Sequence, residues 1–247
     1  MRPLDLRAGP LRLPPGGHPA HAAAAELSDV RPAAPERVRP AAARVVGGVR
    51  GLVGLAVLVI LLYTYAIGGE AHGYNPFDYF GYFTNLTSLL AALVLMTCGA
   101  LGLTVRRTPC WLAPARAVVT ACMLIVAVIY NTVVPGTGSA PAWVSLTLHA
   151  VLPTLMALDW LLIGDRRCLP WSRLWVLAPY PLLWLAVVLV RGATDGWVPY
   201  GFLLPERGAT AMTLTVLGLL GALTAAGVLV WAASRFPGVV LRRGTDH

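Results

Sequence analysis

The chain has 247 residues, 57% of them hydrophobic and only 12% charged, far from the roughly 25% charged residues of soluble domains. That balance excludes an ordinary water-soluble globular domain and points to an integral membrane protein. The formal charge of +8 and the pI near 9.9 do not signal nucleic acid, because the basic residues sit between apolar runs and at the chain ends rather than in a patch with interleaved aromatics.

All 19 basic residues are arginine, and Ala, Gly and Pro are abundant, a bias that fits a GC-rich coding sequence such as an actinobacterial one. Cys98, Cys110, Cys122 and Cys168 form no CxxC pair and no Cys/His cluster, so neither a metal nor a cofactor is expected. These cysteines read as small packed or inert thiols.

Residues 1–44 are rich in Pro, Ala, Gly and Arg without apolar periodicity and are expected to be a disordered cytoplasmic tail. An overextended start site would read the same way. A cleaved signal peptide is disfavoured, because the next apolar run is longer than a signal core and lacks a clear A-x-A site.

Six apolar runs follow, at 46–67, 82–105, 115–135, 142–164, 171–191 and 208–234. Each is near the ~20 residues that a helix needs to cross a bilayer. Backbone groups in lipid must be satisfied within the segment, and these runs lack the alternation of barrel strands, so each is predicted to be a helix. The expected architecture is an all-α polytopic membrane protein, with a six-helix domain over 45–235 and a cytoplasmic tail over 236–247.

Arginine placement sets the orientation. Seventeen arginines lie at the two ends, in the second and fourth loops or beside them, and only Arg191 and Arg207 lie in the other loops. The positive-inside rule then puts both termini in the cytoplasm of a multi-pass cell-membrane protein. The outer loops are expected at 68–81, 136–141 and 192–207, the first and third rich in the aromatics that favour the headgroup level. No internal repeat of the kind found in inverted transporter halves is evident.

The run Ala142–Gly164 carries His149, Pro153 and Asp159. Ionisable groups inside a span are costly and call for a partner. His149 lies about seven residues into an inward-running helix, roughly 10 Å deep at 1.5 Å per residue. Thr84, Asn85, Thr87 and Ser88 open the second span near that level, Tyr130, Asn131 and Thr132 close the third, and Arg191 closes the fifth. These groups are expected to converge on one cavity in the outer half of the membrane. Asp159, near the inner end beside Trp160, is expected to pair with a cytoplasmic-side arginine.

The sharpest chemical reading makes Thr84 a nucleophile and His149 its base, since a threonine hydroxyl needs a neighbouring base to take its proton. Asp159 is ten residues from His149, roughly 15 Å along the axis, and cannot complete a triad directly. Asn85, Asn131 or a backbone carbonyl could orient the ring or stabilise an oxyanion. Asn85, Ser88, Asn131 and Arg191 are the expected substrate contacts. The plainer alternatives are that Thr84 bonds back to its own helix, that His149 bridges helices, and that Arg191 simply reaches the interface.

The strings YFTNLTSLL, LHAVLPTLMALDWLLIG and YPLLWLAVVLVRGATDGWVPYGFL resemble the bacterial Pr-six-Pr family of six-helix membrane proteins, over about residues 48–235. His149, Pro153, Asp159, Trp160, Tyr180, Pro181, Arg191, Gly192, Gly196, Trp197, Pro199 and Tyr200 carry the resemblance. That family looks like a distant relative of the androgen-induced and androgen-dependent membrane proteins, six-helix hydrolases of fatty-acid esters of hydroxy fatty acids. The resemblance implies that their catalytic Thr and His fall on Thr84 and His149.

Two functions are therefore expected. The first is an intramembrane hydrolase of lipid esters using Thr84 and His149. The alternative is a non-enzymatic lipid- or small-ligand-binding protein, transporter or regulatory partner. Membrane lipids are the expected partners and a lipid ester the expected substrate; the sequence does not give the oligomeric state.

Overall fold

The computed structural model describes residues 40–136, 138 and 140–241. Among them there is no strand, and six helices are long and apolar enough to cross a membrane. They are α1 (Pro40–His72), α2 (Phe83–Leu103), α3 (Leu112–Thr132), α4 (Ala142–Leu162), α5 (Trp171–Thr194) and α6 (Ala209–Ala233). The six expected runs thus correspond one to one with helices.

Two boundaries differ from expectation. Helix α1 begins at Pro40 rather than near residue 45, because proline fits the first helical turn, where its missing N–H costs nothing. The remainder of the expected tail, 1–39, lies outside the described residues, as does 242–247. The expected C-terminal tail also begins in ordered structure: the Val239 and Val240 N–H groups donate to the Leu162 carbonyl at 2.8 and 3.0 Å, and the Gly164 N–H donates to that of Val240 at 2.7 Å.

The helices alternate in direction, so α1, α3 and α5 start at one end of the bundle, here called basal, where α2, α4 and α6 finish. Helix α3 is the most enclosed span and α5 the least. One face of α3 packs Ala117, Ala121, Cys122 and Ile125 against Leu177 of α5 and Leu223, Val230 and Trp231 of α6. Its other face packs Val119 and Met123 against Leu61 of α1, Ala91 and Leu95 of α2, and Leu148 and Met156 of α4. A stripe of small residues allows α3 this central place.

Helices α1 and α2 meet backbone to backbone. A Cβ added at Gly99 would come within 2.8 Å of the Gly47 carbonyl oxygen and the Gly51 nitrogen. Small residues at such a seam let dispersion and close packing join helices in lipid, where no hydrophobic force does so. Outward-facing Leu52, Leu55, Leu62, Leu214, Leu217 and Leu229 remain exposed, as a lipid-facing surface requires.

The basal end is closed by four charges. Arg50 of α1 bonds Asp159 of α4 through Nε at 2.7 Å and also pairs with Asp165. Arg116 of α3 bonds Asp159 through Nη2 at 2.6 Å and Asp165 through Nη1 at 2.8 Å. Both guanidiniums are nearly sealed, at 5% and 4% exposure. The expected arginine partner of Asp159 is therefore present twice, and a second carboxylate squares the ring.

Burial works against ionisation of Asp165, but Arg116 and Arg50 more than offset it and hold its carboxyl well below the ordinary carboxylate range. Its folded-state value is thus below the unfolded value of about 3.9. The stabilisation is complete above that value and fades as the pH falls beneath it. We expect Asp165→Asn to remove an acid-sensitive component of thermal stability in detergent while leaving the response between about pH 5 and 8 flat. Arg116→Met, which strips each aspartate of one partner, is expected to cost about 3–5 kcal/mol. An unchanged melting temperature for Arg116→Met would show that the ring does not hold the bundle.

Candidate functional site

At the opposite, distal end the helices separate around a cavity of about 1110 Å³. Its floor includes Ile125, Pro181 and Leu223, and its mouth includes Asn75, Asp78, Trp197 and Arg207. Helix α6 enters at residue 209 and reaches the floor at Leu223, so the cavity extends roughly 20 Å into the bundle at 1.5 Å per residue. It forms because the distal half of α5 packs Leu185 and Val188 on the loop residue Leu203, and on Trp197, Val198 and Phe202 around it, rather than on α3.

Thr84 and His149 both line this cavity, as do Asn85, Tyr130, Ser145 and Tyr200. Thr84 is the second residue of α2, where backbone N–H groups have no intrahelical partner. The Tyr200 hydroxyl lies beside the Thr84 hydroxyl and the N–H groups of Thr84 and Phe83, which favour its ionised form. Burial outweighs these neighbours and pushes the Tyr200 phenol up to about 12, so it stays neutral and keeps a proton to donate.

His149 sits in a π-helical turn, Thr147–Val151, within α4. Such bulges re-aim side chains and frequently mark functional sites. Its Nδ1 lies 2.8 Å from the Ser145 carbonyl oxygen. A carbonyl only accepts, so Nδ1 carries the proton and the neutral ring keeps its lone pair on Nε2. Tyr130 stacks on the imidazole, with centroids 3.5 Å apart and planes 12° from parallel, and its hydroxyl bonds Ser145 Oγ. The orienting group is thus a backbone carbonyl, one of the options open from sequence.

Asn131 supports the ring indirectly. Pro153 has no N–H to give the carbonyl four residues back, which is that of His149. Asn131 Nδ2 donates to it instead at 3.2 Å, and to the Ala127 carbonyl at 2.7 Å. Asn131 lines a smaller pocket of about 380 Å³ on the far side of Tyr130 and His149, not the main cavity.

The other expected contacts are placed differently. Asn85 lines the cavity, but its Nδ2 donates to the Tyr79 carbonyl at 2.9 Å and pins the turn Pro76–Tyr79. Ser88 is fully buried outside the cavity wall, and Thr87 beside it bonds the Tyr180 hydroxyl at 2.7 Å. Arg191 also stands outside the wall, bonding Asp78 at 2.8 Å and Asp195 at 2.9 Å with its guanidinium 4.3 Å from the Trp197 ring centre. The Trp197 N–H and then Arg191 hold the Asp195 carboxyl below its ordinary value. Arg191 therefore fastens the first distal loop to the third.

Sequence reasoning missed Ser145, Tyr200 and Arg207 as members of the site. Ser145 stands one helical turn before His149, a spacing that could have revealed it; the two loop residues carry no such signal. Among the described residues, no group of three His, Cys, Asp or Glu side chains could hold a metal. No family model, curated protein or solved structure matches the chain.

The pairing of Asn131 with Pro153 is open to a double-mutant cycle. Asn131→Ala removes the side-chain donor to the His149 carbonyl and is expected to cost about 1 kcal/mol. In a Pro153→Ala background, where residue 153 regains an N–H, the same change is expected to cost markedly less. Equal costs in both backgrounds would refute the compensation.

Proposed function

We propose that this chain is an intramembrane hydrolase of lipid esters, with both termini in the cytoplasm and the cavity opening toward the outer leaflet. The observation that carries the reading is that Thr84 of α2 and His149 of α4 open onto one cavity, with His149 Nε2 left as the basic nitrogen. The distribution of arginines supports the orientation. The resemblance of the Thr84 and His149 segments to the six-helix hydrolases supports the chemistry.

In this reading a lipid ester enters with its chains along the apolar floor. Thr84 Oγ1 attacks the ester carbonyl carbon while His149 Nε2 takes the hydroxyl proton. The tetrahedral intermediate collapses, the C–O bond to the alcohol breaks, and the imidazolium returns its proton to the departing alkoxide. Water, deprotonated by the same ring, then cleaves the acyl-threonine and frees the carboxylic acid. Tyr200, beside Thr84, is the neutral donor nearest the developing oxyanion.

A second reading, a lipid-binding protein without turnover, is favoured by one observation. Among the described residues no hydrogen bond joins the Thr84 hydroxyl to His149, and its polar neighbour is the Tyr200 hydroxyl. Catalytic contacts often tighten only with substrate bound, so turnover must be measured.

A fluorophosphonate probe applied to detergent-purified protein, with the adduct located by mass spectrometry, separates the two. The hydrolase reading expects labelling at Thr84, lost in Thr84→Ala and reduced about 10²-fold or more in His149→Ala. Folded wild-type protein that takes no label and turns over no long-chain ester would leave the binding reading in its place.

A further inference from the structure

The cavity mouth holds two residues with permanently charged side-chain types, Asp78 and Arg207. They are not equivalent. Asp78 is neutralised, with Oδ1 taking the Arg191 Nη2 bond at 2.8 Å and Oδ2 the Asn75 Nδ2 bond at 2.7 Å. Arg207 makes no ion pair among the described residues; its one bond is from Nη1 to the Phe202 carbonyl at 3.2 Å. Arg207 is therefore the charged side chain at the cavity entrance that has no ionic partner among the described residues.

Local backbone structure presents that charge. Arg207 ends the tight turn Pro205–Arg207, and Gly208, at φ 81°, turns the chain directly into α6. A side chain at position 208 would strain that φ. The guanidinium is thus held beside the start of α6, and Leu219, Leu220 and Leu223 of the same helix continue the cavity wall inward. A cation at the rim of a cavity with an apolar floor matches an amphiphile with an anionic head.

We propose that Arg207 is a recognition site for the oxyanion head, carboxylate or phosphate, of a lipid whose hydrocarbon chain occupies the cavity. A guanidinium offers paired donors that suit both heads. The inference rests on the reading that the cavity takes a lipid, and adds to it the charge of that lipid and the residue that selects it. It moves the anion contact from Arg191, whose guanidinium is held by two aspartates, to Arg207.

The test is binding rather than turnover. Full-length protein in a neutral detergent is titrated with cis-parinaric acid and with the corresponding alcohol, which shares the chain but lacks the charge. Wild type is expected to prefer the acid roughly tenfold, as for a hydrogen bond to a charged group. Arg207→Gln should bring the preference close to one with affinity for the alcohol unchanged, which also reports that the variant is folded, and Arg207→Lys should keep part of it. Leu223→Trp, which fills the floor, should weaken both probes.

A preference that survives Arg207→Gln, or is missing from wild type, overturns the assignment to Arg207 while leaving the cavity reading intact. Failure of both probes to bind, or binding indifferent to Leu223→Trp, overturns the cavity reading and this inference with it. Competition by a single-chain phosphate lipid, but not by inorganic phosphate at the same concentration, supports a lipid head. Equal competition by inorganic phosphate overturns that part.

Discussion

The fold depends on a closed ring of four charges in a place where charge is expensive. Arg50, Arg116, Asp159 and Asp165 come from α1, α3, α4 and the loop after α4, and their side chains satisfy one another. In a low-dielectric interior each alone would carry a desolvation penalty of several kcal/mol. Together they are neutral, and each aspartate accepts from both arginines. Such a ring specifies more than it stabilises, because sliding any one helix by a turn would strand a buried charge.

The ring is buttressed by a second layer. Arg166 lies over the Trp160 ring, its guanidinium 4.9 Å from the centre, and donates to the carbonyls of Ile163, Ala233 and Phe236. The Ile163 and Ala233 carbonyls stand at the ends of α4 and α6, where helices leave them without intrahelical partners. The Trp160 indole N–H in turn donates to the Val230 carbonyl of α6 at 2.9 Å. Helices α4 and α6 are thereby tied at the basal end, and the glycine seam between α1 and α2 closes the same region. With one end of the bundle fixed, the distal ends of α5 and α6 stand apart without loss of register, which makes room for the cavity.

The two ends use polar residues in opposite ways. At the basal end the donors and acceptors of the ring are paired among themselves. At the distal end the pairing stops short: His149 keeps Nε2 after Nδ1 is committed, Tyr200 stays protonated beside Thr84, and Arg207 keeps most of its donors. Helix irregularity contributes as well, since Pro153 interrupts the ladder beneath His149 and the π-turn carries that ring toward Tyr130. The proposed chemistry sits where the fold leaves valences open.

Six apolar runs became six helices, because a backbone in lipid has few ways to satisfy its own groups. The expectation that Asp159 needs an arginine followed from the same cost of unpaired charge. Thr84, Asn85 and His149 could be placed at one depth by counting residues, and they share one cavity. What counting could not supply was rotation about each helix axis. Arg50 and Arg116, read as topology signals, turn inward to the ring, while Ser88, on the same face of α2 as Thr84 but one turn deeper, is covered by its neighbours and falls outside the cavity wall. Residues in the loops and at helix ends were less legible still: Tyr200 and Arg207 reach the cavity, and Arg191 in the last turn of α5 is drawn to Asp78, through contacts between segments more than a hundred residues apart or with no periodic pattern. Sequence alone determined which segments are helices and how deep their polar groups lie, since both follow from the chain's own backbone and hydropathy. Only tertiary packing decided which of those groups face one another, since that depends on how neighbouring helices turn and approach.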